Sequence, residues 1–178
     1  MTQRLVFKQV FEHLFLHGLS DRMTNELRAK LAARGVELTK LLPGYDFEVW
    51  EAAVLDATSL FPELSREDAL TELGRRLARA SIEQSPVGAS LMPILRVLGM
   101  GKALRRSLKR GTGENYNHVT FGDETSNSLE LSMSDVGRIP EFVRGTLFVL
   151  LEALGAKGAQ VSILSHQPPA ASFRTEWR

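Results

Sequence analysis

Apolar residues recur at Phe7, Val10, Phe11, Leu14 and Phe15, the spacing of one helical face, and predict an amphipathic helix over residues 3–17. Gly18 ends it. Ser20 is placed to cap a second helix that turns Leu27 and Leu31 inward and stops at Gly35. Pro43-Gly44 marks a turn. Asp46 opens a third helix, with Phe47, Trp50, Val54, Ala57 and Phe61 on one face and Pro62 as its close. Ser65-Arg66-Glu67-Asp68 resembles a capping box with Asp in place of the preferred Glu. Leu70, Leu73 and Leu77 form the buried stripe that follows. Ser85-Pro86 restarts a helix, since proline at the first helical position loses no intrahelical bond. Leu91 to Leu98 is strongly apolar, and Gly99-Met100-Gly101 interrupts the pattern before a short basic helix at Lys102–Arg110.

Beyond Gly111-Thr112-Gly113 the period changes from helical to alternating. Asn117–Phe121, Leu129–Met133, Gln160–Ser165 and Ser172–Trp177 read as strands. Between the two pairs lies Pro140–Leu154, apolar nearly all round, as in a helix buried between layers. Gly145 within it costs helix propensity, so it points to close approach of another backbone. Gly155 caps it. Asp123–Ser128 is a polar hairpin loop, and Pro168-Pro169 sits in the second connection. The order strand–strand–helix–strand–strand predicts a small antiparallel sheet with a helix laid across it.

The expected fold class is therefore α+β: an N-terminal helical layer packed on a small four-stranded antiparallel sheet with one apolar crossing helix. One domain is expected over 1–178, with a helical part at 1–110 and a sheet-containing part at 114–178. The sheet alone is too small to be stable and needs the helices to cover a face. The length, 178 residues, suffices for a sizeable core, and 43% hydrophobic with 24% charged residues is ordinary for a globular protein. There is no cysteine, which excludes disulfides, thiolate metal sites and cysteine nucleophiles. The opening residues do not read as a secretory signal, because Lys8, Glu12 and His13 interrupt the apolar run. No stretch reaches the length and apolarity of a membrane span. A cytoplasmic location is expected.

Candidate chemistry is sparse. The net charge is only +1, but from Gln84 to Gly113 the chain holds no acidic residue. The run Lys102, Arg105, Arg106, Lys109 and Arg110 forms a broad basic face that could meet phosphates, anionic lipid or an acidic partner. A solvated face is the plainer reading, because no aromatic interleaving accompanies it. His13 and His17 stand four apart on a helix, a two-ligand spacing, but no third ligand is recognisable and we assign no metal site. Gly99-Met100-Gly101-Lys102 lacks the spacing and hydroxyl of a phosphate loop and follows a helix rather than a strand. His118 and His166 lie on or beside strands, more like sheet-surface residues than general bases. Arg144, on the nearly apolar helix, must find a partner if buried, and Glu141 or Glu152 is the nearest in sequence. We assign no catalytic residue and no cofactor.

Leu42-Pro43, Trp50, Phe61-Pro62, Leu73-Gly74, Asn115-Tyr116, the run Gly145–Gly155 and the terminal Phe173-Arg174-Thr175-Glu176-Trp177 carry a resemblance across most of the chain. In these the sequence is similar to a paralogous family of myxobacterial proteins, a domain of unknown function. More distantly, the order of elements and the helix from Arg144-Gly145-Thr146 to Leu154-Gly155 resemble the ligand-binding fold of haem–nitric oxide sensors, four-vinyl-reductase-type domains and TRAPP tethering subunits. The sensors' Tyr-x-Ser-x-Arg clamp is absent, and so are the vinyl-reductase cysteines, so neither chemistry carries over. The resemblance implies a fold able to hold an apolar ligand or form a helix-mediated dimer. Fold alone does not give function.

Three readings follow. The first is a non-catalytic binding or regulatory module that holds a small apolar ligand or docks a protein partner. The second is an anion-binding regulator that sets its basic helix on nucleic acid or a membrane surface. The third is an enzyme of unrecognised class. A homodimer is the expected assembly, because cyclic dimers dominate among oligomers. Trp177 and the Phe-rich first helix are placed either to close the core or to cover a twofold interface.

Overall fold

The computed structural model describes residues 4–85, 99–111 and 117–178. The expected apolar helix through Leu91 to Leu98 and most of the Gly111-Thr112-Gly113 linker lie outside the described residues, as does the side chain of Arg110.

The chain begins with a strand, not with the expected helix. Residues Leu5–Phe7 (β1) pair antiparallel with Gly44–Asp46 (β2), Val6 opposite Tyr45. The extended backbone turns Val6 inward and leaves Phe7 47% exposed, so Phe7 does not join the stripe that its spacing predicts. Helix α1 spans only Lys8–Phe11 and runs into a π-helical stretch, Glu12–Gly18, which buries Leu14 and Phe15. Helix α2, Asn25–Ala33, is capped by Thr24, whose Oγ1 accepts from the Leu27 amide at 3.2 Å. Ser20, the expected cap, instead donates to the His17 carbonyl.

Helix α3 is Phe47–Ala57, followed by a 3-10 turn at Thr58–Leu60. Helix α4, Arg66–Gln84, starts at Ser65 as expected: its Oγ accepts from the Asp68 amide at 3.1 Å. The Asp carboxylate returns to the Ser65 hydroxyl at 2.8 Å, because the shorter side chain takes that partner in place of the backbone amide of a full capping box. These helices surround the first core. Its centre is aromatic, with Phe11 against Tyr45 at 4.5 Å and edge-on to Trp50 at 5.0 Å, and Trp50 edge-on to Phe142 at 5.7 Å.

Helix α5 covers Met100–Gly111. Four strands follow: β3 at Val119–Glu124, β4 at Ser128–Met133, β5 at Gln160–Gln167 and β6 at Ala170–Glu176. Helix α6, Pro140–Ala153, separates the two hairpins. The sheet is antiparallel throughout in the order β3-β4-β6-β5, with Leu131 opposite both Phe121 and Phe173. This is the four-stranded sheet and crossing helix that alternation and periodicity predict. The inward residues Leu129, Leu131, Met133, Ala171 and Phe173 are buried. The other face is polar, where Arg174 pairs with Glu130 and Ser132 with Ser172. Trp177 closes the second core at 7% exposure, its indole N–H donating to the Ser126 carbonyl at 3.2 Å. Among the described residues no helix is long and apolar enough to cross a membrane.

Helix α6 belongs to both cores. Phe142 enters the first, while Leu147, Leu151 and Leu154 enter the second with Leu104 and Leu108 of α5. It crosses α4 at two glycines. A Cβ on Gly74 would overlap the Phe142 carbonyl oxygen, and one on Gly145 would overlap the Thr71 carbonyl oxygen. Backbone therefore packs on backbone, the close approach expected of Gly145. A second joint lies nearby. Glu51, 6% exposed on α3, accepts from the Arg138 amide at 2.6 Å and its Nε at 2.8 Å. Arg4 reaches Asp135 at 2.6 Å and Glu48 at 2.8 Å.

Candidate functional site: an arginine-lined groove at the helix crossing

A groove of about 770 Å³ opens beside the α4–α6 crossing. Its walls come from α4 (Asp68, Thr71, Glu72, Arg75, Arg76), α6 (Arg144, Phe148), the start of β5 (Gln160, Val161, Ser162) and the Arg22 and Phe61–Leu64 region. Its volume suits a small molecule. Four guanidinium groups and three carboxylates line it, and their pairing is uneven.

Arg76 is fully engaged. It donates to Asp21 at 2.6 Å, to Glu72 at 3.0 Å and to the Gly18 carbonyl at 3.0 Å. Burial works to lower the Arg76 pKa, but Asp21 and Glu72 outweigh it and raise it. The same hydrogen bond holds the Asp21 carboxyl below its ordinary range. Arg22 donates to Glu63 and to the Leu60 carbonyl, both at 3.0 Å, and stacks over Phe61. Asp68 is held by the Ser65 hydroxyl.

Arg75 and Arg144 differ. Neither forms an ion pair with any described carboxylate. Arg144 pairs with neither Glu141 nor Glu152, its expected partners, and donates Nε and Nη2 to the Thr71 hydroxyl at 3.2 and 2.6 Å. The reason is geometric: the crossing brings Thr71 over the same face of α6 that carries Arg144. The Arg75 guanidinium carbon lies over the Phe148 ring, 4.4 Å from its centroid, and the buried Nε has no hydrogen-bond acceptor among the described residues. Thr71 and Arg75 are four apart on α4, and Arg144 and Phe148 are four apart on α6. Each pair shares a helix face, and the two faces meet. Of these four, the sequence reading singled out only Arg144, through its charge on an apolar helix.

The basic helix α5 is divided by its packing. Arg105 donates to Glu124 from Nε at 3.1 Å and Nη2 at 2.8 Å, and stacks over Phe121 at 4.6 Å. It is a tether between α5 and β3. Lys102, Arg106 and Lys109 are exposed, and none is paired among the described residues. Their spacing of four and three puts them along one face.

The histidines are dispersed. The rings of His13 and His17 lie 6.4 Å apart, and His13 Nδ1 meets the Ser81 hydroxyl at 3.0 Å. Among the described residues no group of three or more His, Asp or Glu side chains is arranged to hold a metal ion. His166 Nε2 meets the Gly137 carbonyl at 2.9 Å, and His118 is exposed.

The architecture is similar to solved H-NOX proteins. One from S. oneidensis shares 14% identity at a TM-score of 0.69, covering 97% of this chain and 96% of that one. One from K. algicida, in the Fe(II) unliganded state, shares 13% identity at a TM-score of 0.65, covering 97% of each chain. A third, in which the function of haem distortion in the H-NOX family was probed, shares 11% identity at a TM-score of 0.63. The distant resemblance to haem sensors thus holds at the level of fold. The groove at the crossing does not fit haem, because four guanidinium groups and three carboxylates line it where a porphyrin needs an apolar seat. We route no chemistry through haem. No curated protein matches the chain. A family model described as protein of unknown function (DUF2378) matches residues 4–178, and the chain belongs to that family.

Proposed function

We propose that the protein is a non-catalytic regulatory binding module whose ligand sits in the groove between α4, α6 and β5. The observation that carries this is the placement of the groove on α6, the helix that both cores share. An occupant there touches the helical layer and the sheet together, so binding energy bears directly on how the two pack. The charged walls turn the expected small apolar ligand toward one with a polar end. The test is native mass spectrometry of the purified protein beside its denatured mass. A native mass above an integer multiple of the chain mass marks a retained ligand, and the multiple tests the expected homodimer. Turnover by the pure protein that vanishes on mutation of one groove residue defeats the reading.

A second reading rests on α5. Lys102, Arg106 and Lys109 present an exposed basic stripe suited to nucleic acid or an anionic membrane surface. Binding to RNA or to phosphatidylserine vesicles should then fall steeply with salt, and the triple change to glutamine should abolish it. Arg105, proposed with this patch from sequence, is assigned here to holding α5 on the sheet.

A further inference from the structure

We propose that Arg75 and Arg144 form a site for an oxyanion, the carboxylate or phosphate end of a small organic ligand. The proposal rests on the groove reading above and names the chemistry the groove would take. Every carboxylate on the groove wall already has a partner: Glu63 has Arg22, Glu72 has Arg76, and Asp68 has the Ser65 hydroxyl. The cationic side is left with two guanidinium groups, Arg75 and Arg144, that have no carboxylate partner among the described residues. Arg144 spends two donors on one neutral hydroxyl, and that hydroxyl also donates to the Glu67 carbonyl at 2.8 Å. Arg75 makes no hydrogen bond among the described residues, although its Nε is buried.

A guanidinium presents its donors as a planar fork that fits an oxyanion's two oxygens, and with the Arg75 Nε sealed from solvent it is the Nη groups of Arg75 that would meet the ligand. The contact with the Phe148 ring restrains the Arg75 guanidinium, so less side-chain freedom remains to be lost on binding. Arg144 is fixed by Thr71 in the same way. Phe61, Leu64, Phe148 and Val161 on the groove wall supply apolar contact for the rest of the ligand. The groove thus suits a molecule with one anionic end and an apolar body.

The experiment is titration of the full chain with phenyl phosphate and, separately, with benzoate, followed by calorimetry and by the arginine Nε–H signals in NMR. We expect saturable binding of at least one probe, with the Arg75 and Arg144 signals moving together. R75M and R144M should each weaken it about tenfold or more, the scale of a lost charge-assisted fork. The variant with Lys102, Arg106 and Lys109 changed to glutamine should bind as the wild type does. Which probe binds distinguishes phosphate from carboxylate. If R75M or R144M fails to fold, the wild-type NMR titration decides alone. Binding unchanged in R75M and R144M, or with the two signals still, overturns the oxyanion site while leaving a ligand-binding groove in place. No saturable binding of either probe also overturns it, and a retained neutral ligand in the native mass would show that the groove reading survives.

Discussion

Arg144 gives two hydrogen bonds to the Thr71 hydroxyl, so a guanidinium on the sheet-crossing helix is held by a neutral oxygen on the helical layer. The same hydroxyl donates to Glu67 within its own helix. Thr71→Val keeps the branched shape and removes the acceptor. We expect a loss of about 1–2 kcal/mol, because two Arg144 donors then lose their shared acceptor at a part-buried site. Urea denaturation with an unchanged m-value checks it. No change in the midpoint would mean that water replaces the hydroxyl at no cost.

The crossing itself is the most sensitive place in the fold. Gly145→Ala pushes a methyl into the Thr71 carbonyl, and Gly74→Ala pushes one into the Phe142 carbonyl. Neither obstacle is a side-chain tip that can swing away, so the helices must separate and both cores loosen. Each change should cost on the order of 3 kcal/mol, the upper range for overpacking. Gly44→Ala is the control, since its new Cβ would meet the Val6 carbonyl oxygen at an ordinary 3.7 Å. Thermal unfolding of the three variants reads the difference.

Stability should fall on mild acidification through His13. Burial, and then the like charge of His17, lower its pKa below the ordinary 6.5, with Glu12 opposing them. The unfolded chain therefore takes up this proton at a higher pH than the folded one. His13 contributes its full stability above about pH 6.5 and loses it as pH drops through the folded pKa. His13→Gln should flatten the denaturation midpoint across that window. A separate decline belongs to lower pH. There Asp21, lowered by the Arg76 hydrogen bond from an ordinary 3.8, and Glu63, lowered by a backbone hydrogen bond from 4.5, become protonated. A midpoint that the His13 change leaves sloping between pH 5 and 7 would assign the effect elsewhere.

Arg105 and its neighbours on α5 should separate cleanly by substitution. Arg105→Ala removes the pair with Glu124 and the stack on Phe121, for about 1 kcal/mol at a half-exposed site. Changing Lys102, Arg106 and Lys109 to glutamine removes only exposed charges and should leave the unfolding midpoint nearly unmoved. Equal losses from the two would mean that the exposed trio also supports the fold. A double change at Arg105 and Arg106 would mix the two effects.

The sequence by itself determined the elements whose cause is local. Alternation within β4 and β6, the near-uniform apolarity of α6 and the serine cap of α4 are each set by neighbours in the chain, and each was legible. The start of the chain was not, because Leu5–Phe7 satisfies a helical stripe and a strand equally well. Only the distant Gly44–Asp46 decides it by accepting and returning backbone hydrogen bonds. Gly145 announced a close approach without saying to what. The partner of Arg144 was sought at three to eight residues and found 73 away, on a helix that reaches it through two missing side chains. Arg105 read as one of five equal cations until Glu124, in a strand 19 residues on, made it structural. Periodicity reports which face of an element is buried. Which faces meet is fixed by long-range packing, and the groove with its two carboxylate-free arginines exists only there.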